Sequence, residues 1–241
     1  MNIGVLGHFQ NGKSTLINCL MGKLVCATGD GAISTTKKIS RHELHKGLFL
    51  IDTPGMDANE QDNKETSSVI EQLDFAIVVL QNKGISEKDM VAINLLHQYG
   101  IPMLVMVNCT DYGNKNKWSP QSDFNKNILN CIKPQFTGET LVTGIDILLV
   151  NLQWYWYSIA GYKKEGKAKQ EELLERIETI LGTSVDTKLL KEQSNVPQLI
   201  RFLSNEDNLI SIKIYQAMNK NLNNEINKIS EIANKIQPCQ N

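Results

Sequence analysis

Near the start of the chain an apolar run, NIGVL at residues 2–6, ends at Gly7 and opens into Gly7-x-x-x-x-Gly12-Lys13-Ser14. This arrangement demands a strand before it and a helix after it. Glycines 7 and 12 let the backbone wrap tightly with its N–H groups facing inward. The helix that begins near Lys13 adds its positive end, and the lysine amine reaches whatever anion sits inside. Leu16, Ile17 and Leu20 follow at helical spacing. The competing reading is a turn that ends in Gly-Lys-Ser by chance, and the strand-loop-helix context argues against it.

Further apolar runs, GLFLID (47–52), FAIVVL (75–80), PMLVMVN (102–108) and DILLVN (146–151), are continuous rather than alternating. That is the pattern of parallel strands covered on both faces. ISRHELH (39–45) reads as an edge strand hairpinned to GLFLID. Helical segments lie between the runs: 86–100 opens on a Ser cap and ends on Gly, and 119–132 has Ser before Pro at its start. Alternation of this kind predicts a doubly wound α/β domain over residues 1–152.

From residue 153 to 241 the character changes to a C-terminal helical extension. QWYWYSIAGY is aromatic, and a buried aromatic face is favoured there over a membrane-interface belt. KKEGKAKQEELLERIETILG is amphipathic, and a short helix is interrupted near Pro197. The last segment places Ile214, Met218, Leu222, Ile226, Ile229, Ala233 and Ile236 at spacings of three and four. Packing of this last helix on the 165–181 helix as a hairpin is expected.

A net charge of −1 supplies no field that would draw the chain to DNA or to an anionic surface. The five cysteines are scattered without a CxxC pair, which argues against a disulfide framework or zinc site and for a reducing compartment. With no leader pattern and no run of 18 apolar residues, a cytoplasmic location is expected. Peripheral contact with the inner face of a membrane stays open.

Two further motifs fit a nucleoside triphosphate. In FLIDTPG, Asp52 ends a buried strand where a carboxylate holds magnesium through water, and the N–H of Gly55 can face a γ-phosphate. Ser14 Oγ supplies the other magnesium oxygen. In VMVNCTD, Asn108 and Asp111 follow a core strand at the edge where such sheets bind ligands. A carboxylate there accepts both donors of guanine's N1/N2 edge, which adenine lacks. An Asn-Cys-Thr-Asp loop with only local turns is the plainer alternative.

GHFQNGKS, STT, DTPG and NCTD, in that order, resemble the nucleotide-binding domain of the translation-factor-related GTPases. Within that class, GHFQNGKSTLINCLMGKLVCATGDGAISTTK is most similar to the dynamin-like large GTPases, especially the bacterial ones. The resemblance covers residues 1–152. It implies a doubly wound P-loop GTPase sheet and hydrolysis of GTP to GDP and phosphate with Mg2+. Lys13, Gln10, Thr36 and Gly55 would be catalytic; Ser14, Thr36 and Asp52 would hold the metal. Gly7, Gln10, Asn11, Gly12, Lys13, Ser14, Thr15, Asn108, Asp111 and Asn151 would bind the nucleotide, Asn151 lying where the family has a short base-contacting loop. Thr36 is preferred over Thr35 as the first switch threonine.

Three departures bear on function. Cys109 stands where a lysine stem usually lines the base. Met56 stands where Ras-type GTPases have a water-orienting glutamine, and a thioether cannot align a water. Gln10 lies where potassium-activated relatives have asparagine, so its amide can contact the water, a K+ or Na+ ion, or a partner loop. His8, in the same loop, is given a packing or solvated role. The expected partners are GTP and GDP, with a second copy through paired G domains or a larger protein. A low-turnover switch acting through a partner chain, and an Era-like ribosome-associated GTPase, are the alternatives. The latter needs an RNA surface that the balanced charge does not offer.

Overall fold

The computed structural model describes residues 1–8, 10–26, 39–53, 69–110, 118–136, 147–159 and 186–236. Between 171 and 184 it describes residues 171–172, 174–175, 177–179, 182 and 184. Thr35, Thr36, Gly55, Met56 and Asp111 lie outside the described residues.

The described strands are β1 (Asn2–Leu6), β2 (Ser40–His45), β3 (Leu48–Asp52), β4 (Phe75–Gln81), β5 (Met103–Asn108) and β6 (Ile147–Val150). The described helices are α1 (Lys13–Met21), α2 (Glu87–Gln98), α3 (Asp123–Ile132), α4 (Leu152–Ser158), α5 (Thr187–Gln193), α6 (Val196–Ser204) and α7 (Glu206–Ile236). One sheet runs β2-β3-β1-β4-β5-β6, parallel throughout except for the β2–β3 hairpin. Chain order reverses at β1, between β3 and β4. The loop after β1 therefore opens at the switch point where doubly wound sheets bind ligands.

Every residue of β5 is buried, and alternate strand residues serve two cores. Val5, Leu50, Ile77, Val79 and Met106 face α1, α4 and α6, whereas Leu6, Val78, Leu80, Val105 and Val107 face α2 and the residues around Ile132. This two-sided burial is why the strands read as unbroken apolar runs. The C-terminal helices enter the first core through Val196, Leu199, Phe202, Leu203 and Ile212. Phe202 lies with its ring centroid 6.1 Å from that of Phe75 on the central strand.

Local signals explain the helix starts. Ser86 caps α2 in a reciprocal box with Asp89. The cap of α3 is Ser122 rather than Ser119: residues 119–122 close a turn, Ser122 N–H donating to Ser119 O at 3.1 Å, and Ser122 Oγ then accepts from Asn125 N–H. Two serines three apart competed, and only the second precedes a run free of proline. Pro197 starts α6 in its first turn, where its missing N–H costs nothing. Trp154, Tyr155, Trp156 and Tyr157 are all buried on α4, as a packed aromatic face requires. The expected hairpin with α7 does not form among the described residues. Ile177 and Leu174 instead pack into a cluster with Trp118, Trp154, Tyr157 and Leu190.

Phe202→Ala should cost about 3–5 kcal/mol of stability in urea unfolding, the range for emptying a core aromatic site. A cost below about 1 kcal/mol would show that the C-terminal helices do not share the sheet's core.

Candidate functional site

The carboxyl edges of β1, β3, β4 and β5 meet around residues 7–14. Gly7 has φ 143° and Gly12 φ 102°, conformations that L side chains rarely adopt. A Cβ on Gly7 would collide with the Val79 carbonyl oxygen, and one on Gly12 would lie 2.7 Å from Asn108 Nδ2. Gln10 is a non-glycine residue at φ 64°, and its carbonyl accepts from Gln81 Nε2 at 3.1 Å. Gly12 caps α1 with no side-chain hydrogen bond, at the end of a helix that favours an anion.

Lys13 is 7% exposed. Its Nζ folds back over the loop and donates to Gly7 O at 2.9 Å and His8 O at 3.1 Å. The amine is thereby held at the loop's centre, where a phosphate oxygen would compete for it. Ser14 and Thr15 are half-buried in the following turn. The Asn11 amide clamps the loop to β4 and α2: Nδ2 donates to Val79 O at 2.7 Å and to Asp89 Oδ1 at 3.3 Å. On the same helix, Lys88 Nζ approaches His8 Nε2 at 3.4 Å.

Asn108 bridges three segments. Its Nδ2 donates to Asn11 O at 3.1 Å, and its Oδ1 accepts from Leu152 N–H at 3.3 Å. Asn151, expected at the base, is fully buried and spends its amide on structure: Oδ1 accepts from Trp154 N–H as the cap of α4, and Nδ2 donates to Trp118 O, both at 2.9 Å. Cys109 turns into the core beside Val107 and Ile132, and burial pushes its thiol up to about 12. No side chain from position 109 therefore lies along a base.

Asp52 is 1% exposed at the end of β3, paired in register with Val5 and Ser40. The Cys26 thiol sits against it; burial first, and then the Asp52 charge and hydrogen bond, push that thiol up to about 12. Cys26 Sγ also lies 3.4 Å from His42 Nε2, which contacts Ser40 Oγ at 2.9 Å. The hard oxygen donors Ser14 Oγ and Asp52 suit Mg2+. Asn18, unforeseen from sequence, is fully buried and orders the exit of α1: Oδ1 accepts from Val25 and Cys26 N–H, and Nδ2 donates to Cys26 O. Its signal was one amide inside the apolar run LINCL. Lys88, Gln81 and His42 left no such signal, because their partners are remote in sequence.

Residues 2–109 match the family described as 50S ribosome-binding GTPase. GTPase Era of Xylella fastidiosa (strain Temecula1) is 30% identical over 122 residues, which are 45% of this chain and 39% of that protein. Translation initiation factor IF-2 of Orientia tsutsugamushi is 31% identical over 153 residues, 61% of this chain and 17% of its own length. The matches thus span about two fifths or less of these relatives. Among solved structures, a point variant of Aquifex aeolicus Era bound to GDP and AlF4− superposes with a TM-score of 0.51 at 17% identity, covering 70% of this chain and 56% of that one. The sheet is that of the P-loop GTPase fold.

Asn108→Ala should lower stability by about 1–3 kcal/mol, because it orphans a buried carbonyl and a buried N–H. It should also weaken nucleotide binding roughly tenfold or more, a shift of about 1.4 kcal/mol. Urea unfolding and a fluorescent-nucleotide titration check both; unchanged values would mean that the bridge does not support the loop.

Proposed function

We propose that the chain is a magnesium-dependent GTPase that converts GTP to GDP and phosphate, slowly when alone. The observation that carries this reading is the Gly7–Ser14 loop. It turns through two positive-φ glycines and holds Lys13 Nζ on its Gly7 and His8 carbonyls, at the switch point of the sheet.

In this reading the loop N–H groups and Lys13 hold the β- and γ-phosphates and take up charge that develops as the terminal bond breaks. Ser14 Oγ and Asp52 hold Mg2+, with Thr36 joining them, and the ion neutralises phosphate charge when bound. Asn108 keeps the loop in place while Asp111 accepts from guanine. Gly55 faces the γ-phosphate. Gln10, exposed at the loop's apex, is set to meet a water, a monovalent cation or a residue from a second molecule.

Met56 offers no group to align the attacking water, so most of the rate must come from a second protein surface. Pairing of two G domains, as the dynamin-like resemblance implies, is the form we favour. The match to GTPase Era and to a family described as ribosome-binding supports a second reading, in which that surface belongs to the ribosome.

Phosphate release from GTP, with ATP as control and in sodium or potassium, should fall roughly 100-fold in Lys13→Ala. Release per molecule should climb as protein rises through the micromolar range. A flat profile that large ribosomal subunits lift would replace pairing with the second reading. Tight GTP binding with negligible phosphate release under every condition would leave a switch that hydrolyses little and acts through a partner chain.

A further inference from the structure

Helix α7 has two faces. One meets the body through Ile212 and Gln216, whose Nε2 donates to Leu73 O at 2.7 Å, and through Asn219, whose Nδ2 reaches Gly100 O at 3.5 Å. From Lys220 to Glu231 every described side chain is exposed, so the helix runs on past the body. The other face carries Ile210, Ile214, Met218, Leu222, Ile226 and Ile229, which keep 49–65% of their surface. Among the described residues nothing covers them.

Such a helix does not stand by propensity. Five asparagines fall between 219 and 227, and asparagine is among the poorer helix formers. The Glu225–Lys228 ion pair, exposed on both sides, adds little. A solitary helical segment of this length is marginal in water unless an apolar face is packed.

We infer that this face packs against the same face of a second copy, in a two-fold pair centred near Leu222. The exposed area of the six residues is on the order of 700 Å2 per chain, or roughly 1,400 Å2 for a pair, within the range of specific interfaces. Four lysines (213, 220, 228, 235) balance Glu206, Asp207, Glu225 and Glu231, so two copies do not repel. The same balance gives no attraction to anionic lipid or to a strongly charged partner. Ile210, Ile214, Met218, Leu222 and Ile226 recur every fourth residue and make one ridge. With Ile229 three residues on, rows of four- and three-residue spacing interlock with the second copy at a crossing angle of about +20°, the class that keeps two long helices in contact along their length. A symmetric pair needs a self-complementary patch of this kind.

Sedimentation equilibrium of the full chain at about 50 µM without nucleotide should give the dimer mass, since interfaces of this size reach micromolar affinity or better. Leu222→Glu should weaken association at least tenfold while circular dichroism and nucleotide binding stay unchanged. With Cys131 and Cys239 replaced by serine, Leu222→Cys should cross-link to a dimer on oxidation, and Lys220→Cys, on the far side of the helix, should not. A monomer at every concentration, a dimer that survives Leu222→Glu, or a monomer captured by neutral phosphatidylcholine vesicles overturns the inference. Because the assay contains no nucleotide, its failure leaves the GTPase reading untouched.

Discussion

The Asn108 side chain holds together parts of the molecule that are far apart in sequence. It donates to the carbonyl of Asn11 in the loop after β1 and accepts from the N–H of Leu152 at the start of α4. The loop cannot supply this restraint itself, because its own curl consumes two left-handed glycines and a left-handed Gln10. Tying it to the end of β5 and to α4 turns a costly backbone path into a fixed cradle. Asn11, held by Val79 and Asp89, pins the opposite wall. Two amides thus carry the shape of the site, and neither needs to touch a ligand to matter.

Charge completes the arrangement. Lys13 is buried with its amine on two loop carbonyls, so the cation is placed before any phosphate arrives. Asp52 is buried on the neighbouring strand with Cys26 next to it, and Cys26 in turn lies against His42. In the proposed function a triphosphate meets this lysine and its divalent ion meets this carboxylate, both at the edge of one sheet.

Much of this was legible in the sequence for a simple reason. Strands buried on both faces must be apolar throughout, so β3, β4, β5 and β6 announced themselves within a residue or so. The Gly-Lys-Ser pattern fixed the turn between β1 and α1 because only certain residues survive those backbone angles. Side-chain geometry was less readable. Asn151 could be placed at the site's edge, but not seen to be a helix cap that also holds Trp118 O. The same holds for Ser122 over Ser119, and for Ile177 packing on Trp154 instead of on α7. Each depends on partners distant in the chain, and a periodicity argument carries no information about which distant partner wins.

In the proposed function residues 7–14, with the groups around Asn108 and Asp52, bind guanine nucleotide with Mg2+. The most direct measurement is a titration of a fluorescent GDP analogue into the protein with Mg2+, followed by displacement with unlabelled GTP, GDP or ATP. Saturable binding that GTP and GDP reverse and ATP at equal concentration does not is the expected result, with chelation of the metal weakening GTP more than GDP. Equal displacement by ATP, or no binding at all, would contradict it.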